Sequence, residues 1–317
     1  MEELFLETKK EIIAEVKLKI AEVAVLLQSG FGLNAPIAQD DRHSEDERFH
    51  SFIYNGSDPA DIIINVNIVE KLPVIMDAED VFQVYHFNDH KENWRLQKKD
   101  NFYIYNCPLV NKEQLMLVNN AFDRVNAYIL PRKREGMVWE VIDIVYDFLQ
   151  VLLINYLASR KKGVFVHSIG VKDSNGKGFL FAGKSGTGKS TTARIWHEHS
   201  GSMVLGDDRI AVRKLDSKFV IYGTPWHGEF DDYLSSRIES ALLERLFFIS
   251  HCSINKVERL SEKEAFQLLY PTLFPTFWDK GSLENIVSFC QDLVKSVPCF
   301  RLGFVNNKDI IDFVRKA

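Results

Sequence analysis

Apolar residues recur at Leu4, Ile12, Ile13, Val16, Ile20, Val23 and Leu27, with lysine and glutamate between them. This spacing predicts a helix over residues 3–28, packed on the body of the protein or on another subunit. Ser29-Gly30-Phe31-Gly32 ends the pattern. Residues 40–48 are dense in charge and predict an exposed loop. Short runs rich in β-branched and aromatic residues follow at 61–69, 81–87, 93–97, 102–105, 114–118 and 125–130. Turns rich in Asn, Asp, Gly and Lys separate them, so each reads as a strand. Residues 138–159 return to a broad apolar helical face. From Gly163 onward, strands alternate with helices. Strands are expected at 164–171, 178–182, 203–205, 210–212, 219–222, 246–249 and 300–304. Helices are expected at 189–199, 261–269, 283–295 and 307–315.

The change of pattern divides the chain. Pro131-Arg132-Lys133-Arg134-Glu135-Gly136 reads as a linker or turn. The expected domains are 1–136, an N-terminal helix plus a β-rich region, and 137–317, an α/β domain, with an α+β chain overall. No catalytic spacing occurs before residue 160, so the first region is expected to serve acceptor recognition or assembly. No internal repeat or low-complexity tract interrupts the chain.

Composition narrows the function classes. The chain has 317 residues, 46% of them hydrophobic, enough for one large core or two ordinary ones. With a net charge of -5, nothing in the chain is basic enough to suggest nucleic-acid binding as a main role, and no nucleic-acid partner is expected. The four cysteines form no CxxC pair and no zinc-ligand spacing. They read as thiols of a cytoplasmic protein. The start of the chain lacks a charged segment followed by an apolar one, so no signal peptide is expected. The apolar stretch 141–157 is interrupted by Asp143, Asp147 and Gln150, which suits an amphipathic helix and not a membrane span.

Chemistry concentrates after residue 160. Gly183-Lys184-Ser185-Gly186-Thr187-Gly188-Lys189-Ser190 matches G-x-x-x-x-G-K-[ST]. An apolar run, Phe179-Leu180-Phe181-Ala182, leads in, and a helical run beginning at Thr191 leads out. Glycines let consecutive N–H groups turn inward around a phosphate, and the helix N-terminus adds its positive dipole end. Lys189 then supplies a point charge to the β- and γ-phosphates, and the Ser190 hydroxyl ligates Mg²⁺. The expected cofactors are therefore ATP, or another nucleoside phosphate, and Mg²⁺. In Gly206-Asp207-Asp208-Arg209, two carboxylates follow an apolar strand shortly after that helix. One carboxylate can hold Mg²⁺ and another can accept a hydroxyl proton. Gly223-Thr224-Pro225-Trp226-His227-Gly228-Glu229 has the make-up of a functional loop or of an ordinary tight turn. His167 lies within an apolar strand, where a lone histidine is usually a core residue. His197 and His199 stand two apart on a helix and share no face, so they read as surface.

Taken in order, Val166-His167-Ser168, residues 183–190, Gly206-Asp207-Asp208-Arg209 and residues 223–229 resemble the HPr kinase/phosphorylase superfamily and its ATP-type phosphoenolpyruvate carboxykinase relatives. The resemblance covers about residues 160–317 and is strongest to HPr-kinase-like proteins of peptide-modification and amino-acid kinase contexts. It implies a P-loop kinase fold and transfer of the terminal phosphoryl group to a serine- or threonine-type hydroxyl of a peptide, protein or small molecule. It further implies Asp207 as general base, Asp208 as magnesium partner and His167 as a phosphate- or carboxylate-side helper. Arg209 would neutralise charge on the transferring group. Trp226, His227 and Glu229 would line the acceptor side. The superfamily's later Glu-x-Arg-Gly-x-Gly segment is absent, which removes the basis for expecting HPr as substrate or the phosphorylase reaction. A nucleotide-sensing module and a carboxykinase-like enzyme are the competing classes. A pure sensor needs no general base, so the Asp pair favours an enzyme. A homo-oligomer is compatible with the sequence.

Overall fold

The computed structural model describes residues 12–33, 49–85, 92–107, 111–131, 141–184, 186–226, 228 and 238–317. The chain divides into two compact units, Met1–Tyr156 and Leu157–Ala317. The division falls inside the first described helix, on the C-terminal side of the 131–137 segment. Both units are built on large mixed sheets, and the chain is α+β.

The expected N-terminal helix is instead a β-hairpin over its described part. β1 (Ala14–Ile20) pairs antiparallel with β2 (Val23–Ser29). In β1, Val16, Leu18 and Ile20 point inward, while Glu15, Lys17 and Lys19 alternate with them. That is a period of two, and it overrides the looser helical spacing. Ala21 and Glu22 turn the chain with φ of 49° and 58°. Two successive positive φ values are the two-residue turn whose twist suits a hairpin. Residues 3–11 and 40–48 lie outside the described residues.

The strands that follow fall where the pattern placed them. They are β3 (Ile62–Ile68), β4 (Glu79–Tyr85), β5 (Glu92–Lys99), β6 (Phe102–Cys107), β7 (Asn111–Asn119) and β8 (Arg124–Ile129). The sheet order is β1-β2-β3-β8-β7-β6-β5-β4, with β3 parallel to both β2 and β8. On one face Gln28, Asn65 and Asn126 stand opposite one another, and their amides bond in series at 2.6 and 3.1 Å. A one-residue slip would break that row, so it helps fix the register. Helix α1 (Val141–Ser159) packs on the first unit, with Phe148 against Tyr105 at 5.1 Å and the Tyr156 hydroxyl donating to Asp61 at 2.9 Å.

The second unit holds β9 (Gly163–Lys172), β10 (Lys177–Ala182), α2 (Lys189–His199), β11 (Met203–Gly206), β12 (Arg209–Leu215), β13 (Lys218–Tyr222) and β14 (Ser240–His251). It ends with β15 (Lys256–Arg259), α3 (Glu262–Leu269), α4 (Lys280–Ser296), β16 (Cys299–Phe304) and α5 (Ile310–Lys316). Pairing of β9, β12, β13, β14 and β10 closes on itself, because β10 bonds both β14 and β9. β16 extends β14 in parallel, β15 edges β16, and β11 pairs with β9.

Alternation along the strands feeds two cores. Leu180, Ala182, Leu246 and Phe248 join residues of α3 and α4. Phe179, Phe181, Phe247 and Ile249 face the other way, toward α2 and α5. Phe181, Phe247 and Phe300 stack in sequence at 5.3 and 5.4 Å. Such ring pairs contribute about 0.5–1.5 kcal/mol each beyond burial. The sheet is thus covered by helices on both faces, and its strand ends are left to present loops. Among the described residues, no helix is long and apolar enough to cross a membrane.

Candidate functional site

The glycine-rich segment leaves the end of β10 and enters α2, so a strand, a loop and a helix follow one another as the motif requires. Gly186 and Gly188 have φ of 78° and 93°, which residues with a Cβ rarely adopt. At Gly188 a Cβ would also meet Phe304 Cζ at 2.5 Å and His251 Cε1 at 2.9 Å. Side-chain caps close α3 and α4 but not α2 or α5. Ser261 and Glu264 form a capping box on α3, and Asp279 caps α4. α2 has no side-chain cap, so its first N–H groups are open to an anion.

Lys189 opens α2 and is only 7% exposed. Its Nζ donates to the carbonyl oxygens of Gly183 and Lys184, both at 3.1 Å. Burial pulls its pKa below the ordinary lysine value, opposed by the charges of Asp208 and Asp207. Thr187 turns back onto the Lys184 carbonyl at 2.8 Å.

Asp207 and Asp208 occupy the turn between β11 and β12. Asp207 is buried, and its Oδ1 accepts from the Gly228 N–H at 2.7 Å. A Cβ on Gly228 would stand 2.7 Å from Asp207 Oδ2, so this close approach needs glycine. Asp208 is held from two sides. His167 Nε2 lies 3.1 Å from Oδ1, and Arg209 pairs with Oδ2. Burial alone would raise the Asp208 pKa. The His167 hydrogen bond and the charges of Arg209, His167 and Lys189 outweigh it and hold the carboxyl below its usual range. His167 and Arg209 are direct partners on adjacent β9 and β12, which is why a strand histidine and a turn carboxylate meet.

These groups line one cavity of about 490 Å³. Its walls are His167, Gly186, Gly188, Lys189, Ser190, Thr191, Asp207, Asp208, Gly228 and His251, all in the second unit. Gly183, Lys184 and Thr187 belong to the loop but not to the cavity wall. Arg209 stacks its guanidinium 5.2 Å over Phe274, and its Nε is buried without a hydrogen bond among the described residues. Trp226 is buried edge-on against Phe165 at 6.2 Å, away from the cavity wall. Thr224 donates to the Arg209 carbonyl at 2.6 Å and ties that loop to β12. Ser185, His227 and Glu229 lie outside the described residues. His197 and His199 are exposed.

His251 is the wall residue that the sequence pattern did not single out. Its signal was a polar residue closing the apolar strand 246–249, legible only once that strand is known to run parallel to β10. A larger cavity of about 570 Å³ lies around residues 259–263 and 294–299. Its charged groups, Arg259, Glu262, Lys263 and Lys295, are exposed, whereas the smaller cavity gathers Lys189 and the aspartates and is the candidate site. Among the described residues no cluster of three or more His, Cys, Asp or Glu could hold a metal by itself.

No protein-family model matches the chain, and no curated protein matches it. Among solved structures, the Hpr(Ser) kinase/phosphatase from Coxiella burnetii is similar at a TM-score of 0.28 and 11% identity, covering 48% of this chain and 93% of that one. At that score the overlap carries nothing for the site, whose chemistry is read from its own residues.

Proposed function

We propose that this chain is a kinase that transfers the terminal phosphoryl group of ATP to a hydroxyl of a peptide, protein or small molecule. The observation that carries the reading is the meeting of an uncapped helix N-terminus, Lys189 and two adjacent aspartates, one buried and one half-buried, in one cavity. Sequence resemblance to the HPr kinase/phosphorylase superfamily points the same way.

The residues suit a Mg²⁺-nucleotide. Glycines at 186 and 188 keep the cradle open where a Cβ would strain or fill it. Hard oxygen donors, the Ser190 hydroxyl and Asp208, stand on the same wall. Mg²⁺ would supply charge neutralisation on the phosphate oxygens. Lys189 would shift from the loop carbonyls toward the phosphates. His167 and Arg209 keep Asp208 anionic for its cation. Asp207 takes the acceptor proton as the hydroxyl oxygen bonds to the γ-phosphorus and the bridging P–O bond to ADP breaks. The first unit, with none of the cavity wall, is assigned to acceptor recognition or assembly.

The test is transfer of label from γ-labelled ATP to a panel of hydroxyl-bearing peptides and free hydroxy-amino acids, with Asp207→Asn alongside. Labelled product from wild type and none from the variant is expected. Nucleotide binding with no transfer to any acceptor, water included, would favour the sensing module.

A further inference from the structure

β10, β14 and β16 run parallel and adjacent, so Ala182, His251 and Phe304 end at the same sheet edge. The glycine-rich loop rises from β10. On one side of it lies β9, which pairs with β11 and β12 and so carries the Asp207–Asp208 turn. On the other side lie the ends of β14 and β16. A nucleotide seated in the loop, with its terminal phosphate toward the aspartates, would have its nucleoside on the β14 and β16 side.

His251 stands there. It is exposed and lines the cavity, and its ring lies 5.0 Å from the fully buried ring of Phe304 at an interplanar angle of 34°. Both rings abut the first turn of α2, because a Cβ on Gly188 would strike each of them. A planar ring supported from beneath by a buried aromatic loses little freedom when a second ring stacks on it.

We propose that His251, backed by Phe304, is the platform for the heteroaromatic base of the donor nucleotide. This rests on the donor reading above and adds where the nucleoside lies. Stacking uses the π-face that every base has, so the site should discriminate weakly between purine donors.

The test titrates the full chain with Mg-ATP and, separately, with Mg-tripolyphosphate, which has the phosphates but no base. Base stacking is typically worth about 1–3 kcal/mol, so His251→Ala should weaken ATP by about 5- to 150-fold. Tripolyphosphate affinity should stay unchanged, and His251→Phe should restore ATP binding. Equal loss of both ligands would make His251 a phosphate contact and overturn the platform. So would unchanged ATP binding in His251→Ala, or failure of His251→Phe to recover it. Wild type that binds neither ligand would overturn the donor reading and the platform with it. Wild type that binds both, with Lys189→Ala weakened for both, keeps the donor reading standing whatever His251 does.

Discussion

Lys189 and Asp208 lie in the same wall under opposing pressures. Burial disfavours the charge of each, and each helps to keep the other charged. Removing Lys189 therefore takes away the cation proposed to face the phosphates and also leaves the carboxylates less compensated. Lys189→Ala should weaken Mg-ATP binding by roughly 10- to 150-fold, the scale of a charge-assisted bond of about 1.5–3 kcal/mol. Calorimetry showing wild-type affinity together with wild-type turnover would remove Lys189 from the site. The two aspartates should behave differently. Asp207→Asn is nearly isosteric and can still accept from Gly228, so nucleotide binding should survive. It cannot take a proton, and the loss of general-base assistance predicts transfer slower by about 10²–10⁴. Asp208→Asn removes the anion that His167 and Arg209 sustain, and should raise the Mg²⁺ concentration needed for half-maximal rate. If both variants transfer phosphate normally at the same Mg²⁺ requirement, the pair is structural.

At the scale of elements, the hairpin at the start of the first unit offers a direct test of periodicity. Glu22 has φ of 58° and sits in the turn. A β-branched residue is costly there, whereas glycine is at ease. Glu22→Val should lower stability by about 1–2 kcal/mol relative to Glu22→Gly. A helix would reverse the order, with glycine worse than valine. The exposed Lys19–Glu22 ion pair is lost in both variants, so it cancels from the comparison. Urea midpoints decide, and a more stable valine variant would restore the helix. The same region shows what was legible and what was not. The strands 62–68 to 124–129 are short, β-branched and punctuated by turns, so local pattern sufficed. In residues 14–29, Ala, Glu, Lys and Leu are good helix formers, and pairing across the turn won against their propensity. β14 was visible only in its apolar half, because Ser240-Ala241-Leu242-Leu243-Glu244-Arg245 has no strand signature and is held by neighbours on both sides. β15 is four residues long and mostly exposed at an edge, so no burial marks it. The loop and the aspartates were legible because their chemistry is local. The His167–Asp208 contact and His251 are products of strand pairing, which one sequence does not display.

At the scale of the whole chain, the two units carry separate sheets, and one ion pair on a buried carboxylate serves the second alone. Asp173 follows β9 and its side chain is 1% exposed. Arg315 of α5 grips it with two bonds, of 3.1 and 2.6 Å, and Ser202 donates a third at 2.7 Å. Arg315 also donates to the Ser200 carbonyl and lies over Trp196, so it joins the last helix to the end of α2. Burial would raise the Asp173 pKa, but the bonds from Arg315 and Ser202 prevail and hold it low. A carboxyl lowered in the native state stabilises above its unfolded pKa, near 4, and that stability is lost as pH falls through the native value. Arg315→Ala leaves a buried carboxylate with less compensation and should cost roughly 2–4 kcal/mol at pH 7. It should also flatten the acid limb below about pH 4, because the group that sustained the low pKa is gone. The loss should stay in the second unit. Hydrogen–deuterium exchange resolved by peptide should quicken in α5, the β9–β10 turn and residues 196–203, and remain unchanged in β1 to β8. Faster exchange spread evenly over both sheets would mean that the two units unfold as one, and that the ion pair stabilises the chain as a whole.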